Sequence, residues 1–354
     1  MNLAEILEIQ IKKDISDMFI RVNSVLRGRL YSQVEIVDDR KFTFEDVNNI
    51  LKELKVYNKT LEEKKNVEFA IYYRDQWRFR VGIFYQRNTP AIVIRKIDLK
   101  IPTFEELNLP SKILENFCFK KRGLILLTGT TGSGKSTTIA SMIEYMNQNF
   151  KRHIMTIEEP IEFTFSDKNS IITQRELGVD VLTYKDALKQ FTVHSPDVIY
   201  IGNIRDAETC YAALTAAETG VLVLSTLHTV NAVSTIERII NFFPPHQHNL
   251  ILNQLSFLLQ GVMSQRLIRR ADIYGLIPAY EVMALSPSIS RLIRENKIWE
   301  MPKYIQKGDI YGMKTFNQCL LELIETKKIK VEDALENSDK KEELEIELHN
   351  KGLI

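Results

Sequence analysis

The spacing of apolar residues changes character near residue 123. Upstream, residues 1 to about 98 carry short strand-like runs around a helix. The clearest pair is Val67–Tyr73 and Trp77–Val81, which Arg74, Asp75 and Gln76 join as a predicted hairpin. Period-two alternation puts Trp77, Phe79 and Val81 on one face and Arg78 and Arg80 on the other. One face is expected to pack and the other to carry charge. Between residues 99 and 122 Pro102 and Pro110 interrupt the pattern, which reads as a linker. From Gly123 to about Gly275 apolar runs of strand length alternate with helical spacing, the signature of a parallel sheet with crossover helices. From about Leu276 the spacing is mostly helical, and the acid- and lysine-rich stretch Val331–Asn350 reads as a solvated helix. The expected division is therefore 1–98, a linker 99–122, a core 123–275 and a helical region 276–354.

One loop inside this pattern carries chemistry. Leu124–Leu127 reads as a buried strand, and Thr137–Met146 has helical spacing with Ile139, Met142 and Met146 on one side. Between them Gly129, Thr130, Thr131, Gly132, Ser133, Gly134, Lys135 and Ser136 fit GxxxxGK[ST] in full, and Thr137 follows. Glycines let backbone N–H groups turn inward around an anion, Lys135 adds a point charge near the β- and γ-phosphates, and the helix dipole adds to both. The Ser136 hydroxyl is placed to ligate Mg²⁺. The pattern implies a nucleoside triphosphate.

In an open parallel sheet ligands bind beyond the carboxyl ends of the strands. Three such ends stand out. His153–Ile157 runs into Glu158, Glu159 and Pro160, and the proline is expected to stop the strand with both carboxylates exposed, either to orient an attacking water or only to solvate a loop. Pro196–Ile201 ends in Gly202 and Asn203, an amide where an acidic residue normally holds Mg²⁺ through water. Val221–Leu227 ends in His228, whose imidazole is a candidate γ-phosphate contact.

Composition narrows the class without choosing within it. The chain has 354 residues, 26% of them charged and 44% hydrophobic, with a formal net charge of +1. Two domains are the better expectation at this length, and near-neutrality gives no field for nucleic acid as the main partner. No apolar run approaches a membrane span, and the first residues lack a signal-peptide core, so the expected location is cytoplasmic. Cys118, Cys210 and Cys319 are far apart and read as buried thiols rather than a disulfide framework or a zinc site.

Taken in order, residues 129–138 (GTTGSGKSTT), 156–163 (TIEEPIEF), 174–178 (QRELG), 202–209 (GNIRDAET), 214–220 (LTAAETG) and 225–232 (STLHTVNA) resemble the PilT-like retraction ATPases of type IV pili, within the secretion ATPases. Matches continue at 264–267 (SQRL), 286–295 and 312–316, and upstream at Ser16, Asp17 and 78–86, so nearly the whole chain is covered. The resemblance implies an α/β chain with a small PAS-like α+β N-terminal domain, then a RecA-like P-loop ATPase domain with a helical C-terminal part. It implies a homohexamer with ATP and Mg²⁺ at domain and subunit interfaces, Glu158 as catalytic base, and Arg78, Arg80 and Arg95 approaching the phosphates. The partners it implies are an inner-membrane platform protein of a pilus machine and a paralogous ATPase, with the chain peripheral to the inner face of the cytoplasmic membrane. Assembly ATPases of this family usually carry an extra N-terminal domain and a tetracysteine insertion, for which this chain has no room, so retraction is expected over extension.

The departures from the pattern bear on turnover. GNIRD stands for GEMRD, which puts Asn203 at the Walker B glutamate, and Val221 replaces the first histidine of the His box. Phe19 stands where relatives carry His, Ser290 replaces an arginine, and Thr192–Val193 interrupts a usual Leu-Arg. ATP binding is expected to survive these changes, because the phosphate cradle is intact. Hydrolysis is the step at risk, which leaves an ATP-binding accessory subunit as the alternative to an active retraction motor.

Overall fold

In the computed structural model, which describes residues 1–30, 33–55, 66–74, 77–97 and 100–354, the chain divides into two units, Met1–Lys100 and Ile101–Ile354. The first holds β1 (Asp17–Arg21), β2 (Val25–Leu30), β3 (Gln33–Lys41), β4 (Asn66–Tyr73), β5 (Trp77–Gln86) and β6 (Thr89–Ile97) in one sheet of order β3-β2-β1-β6-β5-β4. All of its pairs are antiparallel. The predicted hairpin is β4–β5, with Tyr73 opposite Trp77, while Asp75 and Gln76 lie outside the described residues. Among the described residues this unit has two helices, where the sequence reading gave one. Leu3–Lys12 starts in a capping box at Asn2 and Glu5, and Phe44–Glu53 in one at Thr43 and Asp46, each satisfying orphan N–H groups. They contribute Ile6, Leu7, Val47, Ile50 and Leu51 to a core shared with Met18, Ile20, Leu26, Phe79, Val81, Ile92 and Ile94.

The second unit contains β7 (Gly123–Thr128), β8 (His153–Glu158), β9 (Ile171–Glu176), β10 (Val198–Ile201), β11 (Leu222–Leu227), β12 (Leu259–Arg269) and β13 (Leu276–Ala284), ordered β13-β12-β7-β11-β10-β8-β9. Every pair is parallel except β12–β13. Helices cover both faces, so β7, β10 and β11 are buried at every position and read as unbroken apolar runs.

Three boundaries differ from the sequence reading. Residues 101–122 are not a linker, because helix Ser111–Phe119 places Ile113, Leu114, Phe117 and Cys118 in the core of the second unit. Residue 276 opens an edge strand rather than a helical region, and that antiparallel edge tolerates Pro278. The stretch 331–350 forms helices Val331–Asn337 and Lys341–Asn350, whose Ala334, Leu344 and Leu348 pack on Phe316, Leu320 and Ile324. Its high charge conceals the few apolar positions that anchor it. All three cysteines are free and buried.

Candidate functional site

Strand β7 delivers the chain into the glycine loop, and helix Lys135–Asn149 leaves it. Gly129, Gly132 and Gly134 have φ of 144°, 80° and 90°, a region that side chains with a Cβ rarely enter. Gly129 is also tightly enclosed, since a Cβ there would lie 2.4 Å from the Gln265 carbonyl oxygen. Gly134 is the N-cap residue, so the first N–H groups of the helix point into the loop without a capping side chain. Lys135 is 7% exposed and its Nζ donates to the carbonyls of Gly129 and Thr130 at 2.8 Å each. Burial lowers its pKa, and the Glu162 carboxylate partly offsets that shift. Thr130, Thr131 and Gly132 are exposed, Ser133 is buried, and Ser136 and Thr137 are half-buried at the start of the helix.

Strand β12 braces this loop from the side. Its Ser264 hydroxyl meets that of Thr128 at 2.7 Å, and its Gln265 Oε1 accepts from Thr138 Oγ1 at 3.0 Å. Neither contact was read from sequence, although residues 264–267 were among the matching motifs.

The polar strand ends converge beside the loop. Glu158 closes β8 and is 7% exposed, which corrects the expectation that Pro160 leaves both carboxylates in solvent. Glu158 is the last residue of β8 and turns inward, whereas Glu159, just beyond the strand, is exposed and pairs with Arg205 at 2.8 Å. Burial pushes the Glu158 carboxyl up to about 7, against the lowering effect of hydrogen bonds from Thr156 Oγ1 at 2.7 Å and Gln174 Nε2 at 3.4 Å. Glu162 acts both ways, lowering it through a backbone hydrogen bond and raising it more weakly by like-charge repulsion. A carboxylate at that value is matched to proton transfer near neutrality. Glu162, Gln174 and Thr156 were not singled out as site residues from sequence, yet each sits inside or beside a quoted motif.

Asn203 follows β10 by two residues, and its neighbourhood is fixed by both adjacent strands. Gly202 N donates to Ile157 O at 2.9 Å, Thr226 Oγ1 donates to Gly202 O at 2.6 Å, and Ile204 N donates to Thr226 O at 3.0 Å. The Asn203 side-chain oxygen is buried and has no hydrogen-bond partner among the described residues, and the same holds for Ser133 Oγ. An orphan hydroxyl in the glycine loop and an orphan amide oxygen at the end of β10 fit an anion and a hydrated cation. His228 follows β11 and lies against the loop: burial first, then the Lys135 and Arg205 charges, lower its pKa, with a hydrogen bond to the Gly129 backbone opposing them. The ring is therefore neutral at pH 7.

The remaining candidates lie in the first unit. Arg80 on β5 pairs with Glu68, and Arg95 on β6 donates from Nε to Asp17 Oδ1 at 2.7 Å. Asp17, 4% exposed, also meets Arg29 at 3.3 Å from the strand on its other side. Arg78 does not sit on a solvated charged face as expected. It is 4% exposed, with its guanidinium 5.6 Å from the centre of the Tyr72 ring.

No group of three or more His, Cys, Asp or Glu among the described residues could hold a metal ion by itself, and no described helix is long and apolar enough to cross a membrane.

Comparison with known proteins identifies the family. Residues 7–275 match the family described as type II/IV secretion system protein. The type IV pilus ATPase PilU of Pseudomonas aeruginosa is 37% identical over 350 residues, covering 98% of this chain and 91% of that protein. The type IV pilus retraction ATPase PilT of the same organism is 36% identical over 340 residues, covering 96% and 98%. A crystal structure of the pilus retraction motor PilT with bound ADP superposes with a TM-score of 0.91 at 41% identity, covering 98% of this chain and 99% of that one. With its phosphate loop intact and a buried carboxylate beside it, the chain belongs to the type II/IV secretion ATPases and is an ATPase of the PilT/PilU-like kind.

Proposed function

We propose that this ATPase is a motor subunit that works as a homohexamer on an inner-membrane platform protein, from the cytoplasmic side, and powers type IV pilus retraction. The observation that carries the reading is the pairing of a complete glycine cradle around Lys135 with the buried Glu158 at the end of β8, the Glu162 charge acting on both side chains. In this reading the loop N–H groups and Lys135 hold the ATP phosphates, and Glu158 takes the proton of the attacking water. His228, neutral at pH 7, reports on the γ-phosphate. Magnesium, held by Ser136 and through water by the unpartnered Asn203 oxygen, would neutralise charge on the β- and γ-phosphate oxygens. Arg78, Arg80 and Arg95 are assigned to the phosphates of a subunit interface, where Arg80 and Arg95 would exchange Glu68 and Asp17 for the nucleotide. An arginine so delivered is worth about 10³ to 10⁵ in rate.

Asn203 supports a second reading, an ATP-binding accessory subunit of weak turnover that assists a paralogous motor. Phosphate release by the purified chain, compared with Lys135→Ala and Asn203→Glu, tests both. Release that depends on Lys135 and changes by less than about tenfold in Asn203→Glu supports the motor, on the scale of one lost transition-state contact at about 10² to 10³. Release that emerges only in Asn203→Glu supports the accessory role, and release equal in native and Lys135→Ala chains removes the motor reading.

A further inference from the structure

Glu281 is an acidic residue on the edge strand β13 that no step of the proposed chemistry uses. Its carboxylate faces the N-terminus of helix Ala232–Ile240, where Oε1 accepts from Ala232 N–H at 2.9 Å. That helix start is already capped, since Asn231 Oδ1 accepts from Ser234 N at 2.8 Å and Ser234 Oγ from Asn231 N at 3.2 Å. The capping box takes the N–H groups of Asn231 and Ser234, and Glu281 takes that of Ala232. A negative charge at this end also meets the positive pole of the helix dipole. Immediately upstream, the Thr229 and Thr235 hydroxyls meet at 2.7 Å and Thr235 Oγ1 donates to Asn231 O at 2.7 Å. The short segment from His228 to Asn231 is thus tied down at its helix end, and Glu281 supplies the one tether that comes from outside the segment's own helix among these bonds.

The same carboxylate is linked to the phosphate loop by strand register. Glu281 is opposite Ser264 on β12, and Ser264 touches Thr128, the last residue before the glycine loop. On its other side Glu281 meets the C-terminal helices: the charges around it are Asp339, Arg266 and Lys340, and Arg266 pairs with Asp339 at 2.5 Å while stacking 4.2 Å from the centre of the Phe316 ring. The next residue, Val282, exchanges backbone hydrogen bonds with Lys314 at 2.8 and 3.0 Å. Burial pushes the Glu281 carboxyl up to about 7, so its place is maintained at a cost in solvation.

We propose that Glu281 is a positioning residue for ATP hydrolysis, holding the helix start at Ala232 so that His228 stays against the phosphate loop. It acts through geometry and not through the substrate. The inference rests on the reading that the Lys135 site hydrolyses ATP, and its test is built to separate the two.

The full-length chain, Glu281→Ala and Glu281→Gln are compared in steady-state ATP turnover and in amide hydrogen exchange. Glu281→Ala is expected to lower kcat by about 10- to 100-fold, the scale of a small misplacement at a reacting centre, and to leave KM for ATP within about twofold. Exchange should rise across residues 228–234 and stay native across 129–138. Glu281→Gln keeps an acceptor oxygen at the same reach and should restore both readouts. Native exchange across 228–234 in Glu281→Ala overturns the proposal. So does exchange raised throughout 101–354, which would make Glu281 a general stability residue, or a Glu281→Gln chain as impaired as Glu281→Ala. If the native chain turns over ATP no faster than Lys135→Ala, the hydrolysis reading fails and the exchange comparison alone decides whether Glu281 holds the His228 segment.

Discussion

Thr156 donates from Oγ1 to Glu158 Oε1 at 2.7 Å, two residues apart on the same buried face of β8. The bond stabilises the ionised carboxylate against the burial that pushes it up to about 7. A base must be deprotonated to act, so turnover should rise with pH through about 7 and level off above it. Thr156→Val removes the donor and should move that limb up by about one to two pH units, since a hydrogen bond to a charged group is worth about 1.5–3 kcal/mol. A pH–rate profile of kcat for both chains checks this. The stability sign runs the opposite way. A carboxyl whose folded pKa lies above its unfolded value contributes most below about 4.5, and the contribution is lost as pH rises through about 7.

Gly129 and Gly132 both have positive φ but differ in their surroundings. A Cβ on Gly129 would press on the Gln265 carbonyl at 2.4 Å, whereas one on Gly132 meets nothing within 4 Å. Gly132→Ala should therefore cost only backbone strain, about 1 kcal/mol. Gly129→Ala should cost about 3 kcal/mol or more and displace the loop from β12. Thermal unfolding, together with titration of a fluorescent ATP analogue, distinguishes the two.

Lys135→Ala leaves the Gly129 and Thr130 carbonyls without their donor and the cradle without its fixed charge. ATP turnover should fall by at least about 10²-fold. Lys135→Arg keeps the charge but replaces a compact ammonium by a planar fork in a nearly closed site, and should not rescue it. Phosphate release at saturating ATP measures both.

The three thiols should be inert in the native chain. Burial pushes Cys210 and Cys319 up to about 12 and Cys118 higher, so the reactive thiolate is scarce at neutral pH. Labelling with a thiol reagent at pH 8 should be negligible without denaturant and reach all three cysteines once the chain unfolds. Rapid labelling of the native chain would contradict the burial of these residues.

The phosphate loop was legible because GxxxxGK[ST] constrains one short backbone path, and the flanking strand and helix followed from apolar spacing. The strand ends carrying Glu158, Asn203 and His228 were legible for a related reason, since each closes an apolar run in a parallel sheet. What stayed hidden depends on tertiary pairing. The difference between Glu158 and Glu159 is set by where β8 ends, and Gln265 and Ser264 reach the loop only because β12 lies next to β7. Leu276–Ala284 escaped as a strand because Pro278 and an apolar run of ambiguous period give no alternation to read. Leu109, Ile113 and Phe117 were misassigned to a linker because two prolines outweighed a helix of only 9 residues.

The alternation of β8 has a consequence for fidelity. Its alignment on β10 and β9 decides the face of the sheet on which the Glu158 carboxylate meets the Gln174 amide of β9. A slip of a single position would carry Glu158 to the opposite face of the sheet, away from the Gln174 amide on β9. Strand alignment at this place is thus a proofreading element: a misthreaded chain would keep its sheet and lose its reactive group.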